Sequence, residues 1–340
     1  MNKYNIISAP NEGSFDQRLE TLGKALAQYI ELEKKENRQL SYCKIFLSDI
    51  QNQYQLLLNS CVYQHITSCA HTIVEQPPLD GSKISILLKT SDETCHDIFD
   101  SLRLDDKEAI GKSSYLQTLI LFDKYMKLAK KRNLDIRQHL IRTWIYVANI
   151  DVNYEGVVKA RNDFFRQQGL TIDTHFIAST GIGGRSETRN ACVAIDFLSV
   201  PNITLENQKF LKALEHLNPT HEYGVAFERG TQLKIGDKSR YFISGTASID
   251  KHGDVLYLGD VKKQMERLLE NIDALLKDGE ACIKDTRYFI IYLRDISDKD
   301  VVETYMSEHY PDIPHIVLFA PVCRPQWLIE MECIAEKSRI

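Results

Sequence analysis

The sequence predicts an α+β fold of two repeated domains, each a mixed sheet with helices packed on one face. Three observations carry this expectation. IRTWIYVANI at 141–150 matches TRYFIIYLRDI at 286–296 in pattern. A long amphipathic helix precedes each of these strands, and a helix with a Val-Val pair (Val157-Val158, Val301-Val302) follows. CVAIDFL at 192–198 then falls opposite LIEMECI at 328–334, which sets Ala194 against Glu330. Such self-similarity reads as duplication of a strand–helix–strand–helix–strand unit. The expected division is 1–200, a degenerate first domain, and 201–340, the domain that keeps the carboxylate.

Taken in order, Phe15 to Lys35 has helical spacing, and residues 42–75 read as strands rich in Cys, Tyr and His. Pro77-Pro78 before Asp80-Gly81 marks a turn. Ile84 to Lys89 is a strand. Ser114 to Asn133 is a helix, its apolar residues repeating at three and four. Ile141 to Val147 is a strand and Val157 to Phe165 a helix. Strands Phe176 to Ala178 and Ala191 to Val200 flank a glycine loop, Gly181 to Gly184. A helix from Leu205 to Leu217 stops at Pro219. The second half follows with a strand at Tyr241 to Ile249, a helix at Val261 to Leu276 and a strand at Arg287 to Leu293. A helix at Asp298 to His309, the apolar run Ile316 to Ala320 and a closing strand complete it.

Composition narrows the function classes. A net charge of −5 gives no basic footprint for nucleic acid. No run of 18 apolar residues suits a membrane, and the first residues lack a signal pattern. Eight cysteines without a CxxC pair suit reduced thiols. The expectation is a cytoplasmic protein, monomeric or weakly oligomeric, acting on a small molecule.

The closing strand draws attention because Leu328, Glu330, Glu332 and Ile334 share one face and Ile329, Met331 and Cys333 the other. A carboxylate inside a sheet is costly unless paired or used. Glu330 is taken as the centre of the site.

SGTASI (244–249), GDVKKQMERLLENIDALL (259–276), YLRD (292–295) and IEMECIA (329–335) resemble the RidA/YjgF family. The resemblance implies a chorismate-mutase-like fold in each domain and a ligand site between neighbouring domains. It also implies roles for a glycine after Ser (Gly245) and a glutamate in the closing strand (Glu330). The family's substrate-binding arginine is missing around Pro314-His315-Ile316. A narrower set, RTWIYVANI, Ala160-Arg161-Asn162, STGIGG (179–184), Tyr223 to Arg229, SGTASI and APVCRPQWLIE, resembles the chorismatases. These carry two RidA-like domains in one chain.

That narrower resemblance implies chorismate as substrate, with pyruvate and 3-hydroxybenzoate as products and some 4-hydroxybenzoate. Cleaving the enolpyruvyl ether needs anion clamps, an acid and a dry pocket. Arginine suits the clamps because its planar fork meets a carboxylate bidentately. The candidates are Arg142, Arg161, Arg229 and Arg324, with Arg294 behind them; the bland alternative for any one is a structural ion pair. Glu330 is the expected general acid, with a pKa raised by burial, and Glu332 the weaker candidate. Tyr223 would bind a substrate carboxylate or hydroxyl, or pack at the rim. Gly245 lets a ring approach backbone. Cys323 is a weakly polar wall, poor at holding an attacking water. In the family, Gly245 and Cys323 together imply the hydroxybenzoate outcome over hydrolysis to a dihydrodiol. Trp327 is read as packing. The chemistry needs no metal or organic cofactor. Cys61, His65 and Cys69 have zinc-like spacing, but their β-branched surroundings argue for strand. GIGG lacks the Lys-Ser/Thr of a phosphate loop. The rivals are a RidA-type enamine deaminase and a non-catalytic anion-binding module.

Overall fold

The computed structural model describes residues 2–92 and 97–338. They form three sheets, not two. The first unit runs β1 (Lys3–Ser8), α1 (Phe15–Lys35), β2 (Gln39–Leu47), α2 (Ile50–Leu58), α3 (Cys61–Ile66), β3 (Ala70–Glu75) and β4 (Ile84–Ser91). The second runs β5 (Ile98–Leu102), α4 (Asp106–Ala109), α5 (Ser114–Lys131), α6 (Ile136–His139), β6 (Leu140–Val147), α7 (Ile150–Gln167), β7 (Ala178–Gly183) and β8 (Val193–Ser199). The third adds two strands, β9 (Gln208–Phe210) and β10 (Gly230–Ile235). It continues with β11 (Lys238–Thr246), α8 (Val261–Asp278), β12 (Thr286–Leu293), α9 (Lys299–His309), β13 (His315–Phe319) and β14 (Ile329–Ser338).

Strand orders are β1-β4-β2-β3, β5-β8-β6-β7 and, within the third sheet, β11-β14-β12-β13. The register repeats as well. Lys44 pairs with Leu87 and Thr72, Trp144 with Asp196 and Thr180, and Ile290 with Glu332 and Ile316. A register shift recurs at the same point, between Leu40 and Tyr42, Leu140 and Arg142, and Thr286 and Tyr288. Ala194 does match Glu330, through partners Tyr146 and Tyr292. The span 1–200, read from sequence as one domain, therefore carries two sheets of the same connectivity, and Ser85 is the first sheet's counterpart of Glu330, paired with Phe46.

Each sheet is covered by helices on one face. Leu19, Leu22 and Leu26 of α1 bury against Ile45, Leu47 and Ile86, and Phe122 and Tyr125 of α5 against Phe197. In α8, Val261, Met265, Leu268, Leu269, Ile272, Leu275 and Leu276 form the buried stripe. Helix starts follow local chemistry: Ser14 and Gln17 form a capping box, and Ser113 and Asp260 cap α5 and α8.

Three expectations are corrected. Residues 50–58 and 61–66 are helical, because Asp49 and Ser60 cap α2 and α3. Cys61 and His65 lie on α3, whereas Cys69 leaves the helix and its Sγ is 3.6 Å from that of Cys43; no group of three or more His, Cys, Asp or Glu side chains among the described residues could hold a metal. Gly181 and Gly183 belong to β7, not to a loop, since they pair with Ile145 and Val147 of β6. The span 205–217 holds a short 3-10 turn and β9 in place of a helix; pairing with β10 outweighs its helical spacing.

The inner faces of the three sheets meet around buried charge. Arg142 pairs with Glu332 at 2.9 Å, and Arg103 with Asp196 at 2.9 Å. Lys44 is the additional cation: its Nζ is buried without a hydrogen bond, 5.1 Å from the rings of both Trp144 and Tyr146. Burial lowers its pKa. With the two carboxylates already matched by two arginines, the ammonium is a charge in excess. Lys44→Met keeps the volume and removes that charge, so urea denaturation at neutral pH should show stabilisation of about 1–3 kcal/mol. A loss of that size instead would mean that the ring faces compensate the ammonium in full.

Candidate active site

A cavity of about 550 Å³ opens between the second and third units. Three segments build it. The α7 face Tyr154, Val158, Arg161 and Asn162 supplies one wall, Phe227, Arg229 and Gly245 another, and Cys323, Arg324, Trp327 and Glu330 the third.

Glu330 projects from β14 into this cavity and is 4 % exposed. Burial, then the neighbouring Glu332 charge, pushes its pKa up to about 8, against a smaller opposite pull from Arg142 and Arg229. At neutral pH the carboxyl is therefore largely protonated and able to donate. Glu332, two residues on, is occupied otherwise. It accepts from Trp144 Nε1 at 2.7 Å, Thr180 Oγ1 at 2.5 Å and Arg142 Nη2 at 2.9 Å.

Gly245 belongs to an irregularity of β11 between Ile243 and Thr246, where its pairing with β14 shifts. Its amide donates to Thr180 Oγ1 at 2.9 Å. A Cβ here would overlap Glu330 Oε1. The glycine thus makes room for the carboxyl itself, a role the sequence reading did not assign to it.

The arginines divide. Arg161 is 1 % exposed, lines the cavity, and has Nε and Nη2 buried without hydrogen-bond partners. Arg229 donates to the carbonyl and side-chain oxygens of Asn218 at 3.0 and 3.2 Å. Both guanidinium groups stack on Phe227, at 5.5 and 5.6 Å. Arg324 stacks on Trp327 at 4.9 Å. Arg142, expected as a clamp, does not line the cavity: it lies behind Glu330, bonded to Glu332, Thr180 and Ser244, because the buried Glu332 needs a cation. Arg294 ties Val322 O at 2.7 Å to Asp151 and also stays outside.

Cys323 lines the cavity beside Tyr154, which hydrogen-bonds it; burial and the Glu330 charge push the thiol up to about 12. It stays a neutral wall. Trp327 forms part of the lining. Tyr223 sits in the 3-10 turn Thr220–Tyr223, next to the lining residues Gly224 and Val225; its side chain lies outside the described residues. Sequence reasoning missed Tyr154 and Phe227. The spacing of Tyr154, Val158, Arg161 and Asn162 on α7 was the available signal.

The family description that matches is Endoribonuclease L-PSP, over residues 230–337. A RutC family protein of Pyrococcus abyssi is 33% identical over 108 residues, 31% of this chain and 84% of that protein. The chain belongs to the RutC, or RidA/YjgF-like, superfamily. The 3-aminoacrylate deaminase RutC of Acinetobacter baylyi is 27% identical over 96 residues, 28% of this chain and 76% of that enzyme. These RutC matches span about one unit. A crystal structure of a chorismatase, 18% identical, superposes on 98% of this chain and 98% of its own at a TM-score of 0.70, so the fold is shared along the whole length.

The raised acid in this RutC-superfamily chain has a stability consequence. Glu330 titrates near 4.5 when unfolded and near 8 when folded. The folded state then holds the extra proton, so its contribution is complete below about 4.5 and is lost as pH rises through about 8. Glu330→Gln, which cannot ionise, should match the parent in denaturant titrations at pH 4.5 and exceed it at pH 9. Equal stability at both values would refute the raised pKa.

Proposed function

We propose that the protein cleaves chorismate to pyruvate and 3-hydroxybenzoate, with Glu330 as general acid. The observation that carries this reading is one buried, proton-holding carboxyl in a cavity with an Arg161 guanidinium whose Nε and Nη2 meet no hydrogen-bond partner. The whole-chain likeness to a chorismatase supports it.

Arg161, with Arg229 and Arg324, binds the two carboxylates of the substrate. Glu330 delivers its proton to the methylene carbon of the enolpyruvyl group. The ether bond to the ring breaks and pyruvate leaves with the ether oxygen. The adjacent ring hydroxyl oxygen attacks the carbon that the ether leaves. Its bond to its original carbon then opens and it regains its proton as the 3-phenol, and the C–H proton lost from the carbon it now occupies restores Glu330. The two products together have the composition of chorismate, so no water is consumed. A neutral Cys323 thiol is a poor anchor for water, which favours this route over the dihydrodiol.

A second reading, deamination of small enamines, is favoured by the likeness to 3-aminoacrylate deaminase RutC. Against it stands the lack of an arginine at Pro314-His315-Ile316, where His315 instead contacts Glu303 at 3.2 Å.

Incubation of the purified protein with chorismate should release pyruvate, followed by a coupled dehydrogenase. In ¹⁸O-labelled water the 3-hydroxybenzoate should carry an unlabelled phenol oxygen. A dihydrodiol as the dominant product would overturn the product assignment, and no pyruvate above the spontaneous background would overturn the reaction. Glu330→Gln should lower kcat by about 10²–10⁴, and activity should fall as pH rises through about 8. Gly245→Ala should lower kcat while leaving KM less affected, because it displaces the acid. Near-normal turnover in Glu330→Gln would transfer the acid role elsewhere.

A further inference from the structure

A second cavity, of about 350 Å³, lies where matching positions of all three units converge. Tyr4, Phe99 and Phe242 occupy one set of matching positions, paired with Lys89, Leu198 and Ile334 respectively. Tyr42 and Tyr288 occupy another, paired with Lys89 and Ile334. The walls are therefore aromatic. Tyr42 and Phe99 are 4.6 Å apart between centroids, Phe99 and Trp144 6.1 Å, and Tyr4 and Tyr288 5.2 Å.

Two polar features stand out in this apolar slot. Tyr288 is 3 % exposed, lines the cavity, and its hydroxyl meets no hydrogen-bond partner among the described residues; the same holds for the half-buried Tyr42. Lys89 and Arg240 reach the same cavity and converge on Asp97, Lys89 at 3.3 Å and Arg240 at 2.9 and 2.6 Å. A slot of aromatic faces, two phenol donors and two adjacent cations matches a planar ring bearing a carboxylate. Its size suits a single ring.

We infer that this cavity is a binding site for a single-ring aromatic carboxylate, distinct from the candidate active site and joined to it through Trp144. Trp144 lines the cavity, and its Nε1 donates to Glu332 at 2.7 Å. Glu332 is in turn the charge beside Glu330. A ring bound against Trp144 therefore bears on the residue that sets the acid. Choosing a hydroxybenzoate as the ligand rests on the reaction proposed above; the site itself does not.

The chain has two tryptophans, Trp144 and Trp327. In Trp327→Phe protein the emission comes from Trp144, which lines this cavity. Titration with 3-hydroxybenzoate should change that emission saturably, and phenol, lacking the carboxylate, should bind more weakly. The change should persist when Arg161→Ala is added, which disables the other cavity. Adding Tyr42→Phe and Tyr288→Phe, which keep both rings, should weaken binding about tenfold. No saturable change in Trp144 emission would overturn the inference. So would a change that disappears with Arg161→Ala and ignores the tyrosine pair. Binding is read without chorismate, so a protein that binds but releases no pyruvate would sink the proposed reaction and leave this site standing.

Discussion

The hold on Glu332 is the constraint on which the rest of the site depends. A carboxylate 2 % exposed among three sheets is tolerable only with its hydrogen bonds filled, and three groups of the second unit fill them: Arg142, Trp144 and Thr180. This fastens the second unit to the third. It also leaves a fixed negative charge two residues from Glu330, which adds to burial in holding a proton there. One interaction thus serves both the assembly of the units and the acidity at their seam.

The first unit is the part of the fold that sequence reading missed. The match of 141–150 with 286–296 was legible because both strands keep the same apolar run and the same flanking helices. The corresponding β2 carries Lys44 and Cys43, and the two short helices α2 and α3 stand where the other units have α7 and α9. Pattern comparison fails there although the register is the same. At the site, Glu330 stood out since a carboxylate inside a strand conflicts with simple burial, and Arg161 since it falls on a stretch that resembles the chorismatases. Arg142 was misassigned for a physical reason: a buried arginine looks the same in sequence whether its partner is a ligand or a glutamate on a strand far along the chain.

Matching positions make the asymmetry of the chain explicit. Glu332 meets Thr180 at one seam, and Asp196 meets Thr72 at 3.1 Å at another. The third pair of positions holds Leu87 and Ile316, both apolar. Glu330 has Ala194 and Ser85 as counterparts, so the repeat carries one acid. At the seam of the first and second units Arg103 donates to both Asp196 and Thr72, so a side chain of the protein itself supplies the cation there.

Gly183 fixes how the larger cavity can be reached. Its amide donates to Pro321 O at 2.9 Å, its carbonyl accepts from Gln76 at 2.7 Å, and Pro321 lies so close that a Cβ would meet its atoms at 2.7–2.9 Å. All three units touch at this one residue, and Arg294 anchors Val322 next door. The segment bearing Cys323 and Arg324 is consequently a fixed jamb and not a flap. The Gly224 to Phe227 segment of the lining is tied instead to α7 by Asn162, at Gly224 O and Ala226 N, and to its own turn by Thr220, at Val225 N and Phe227 O.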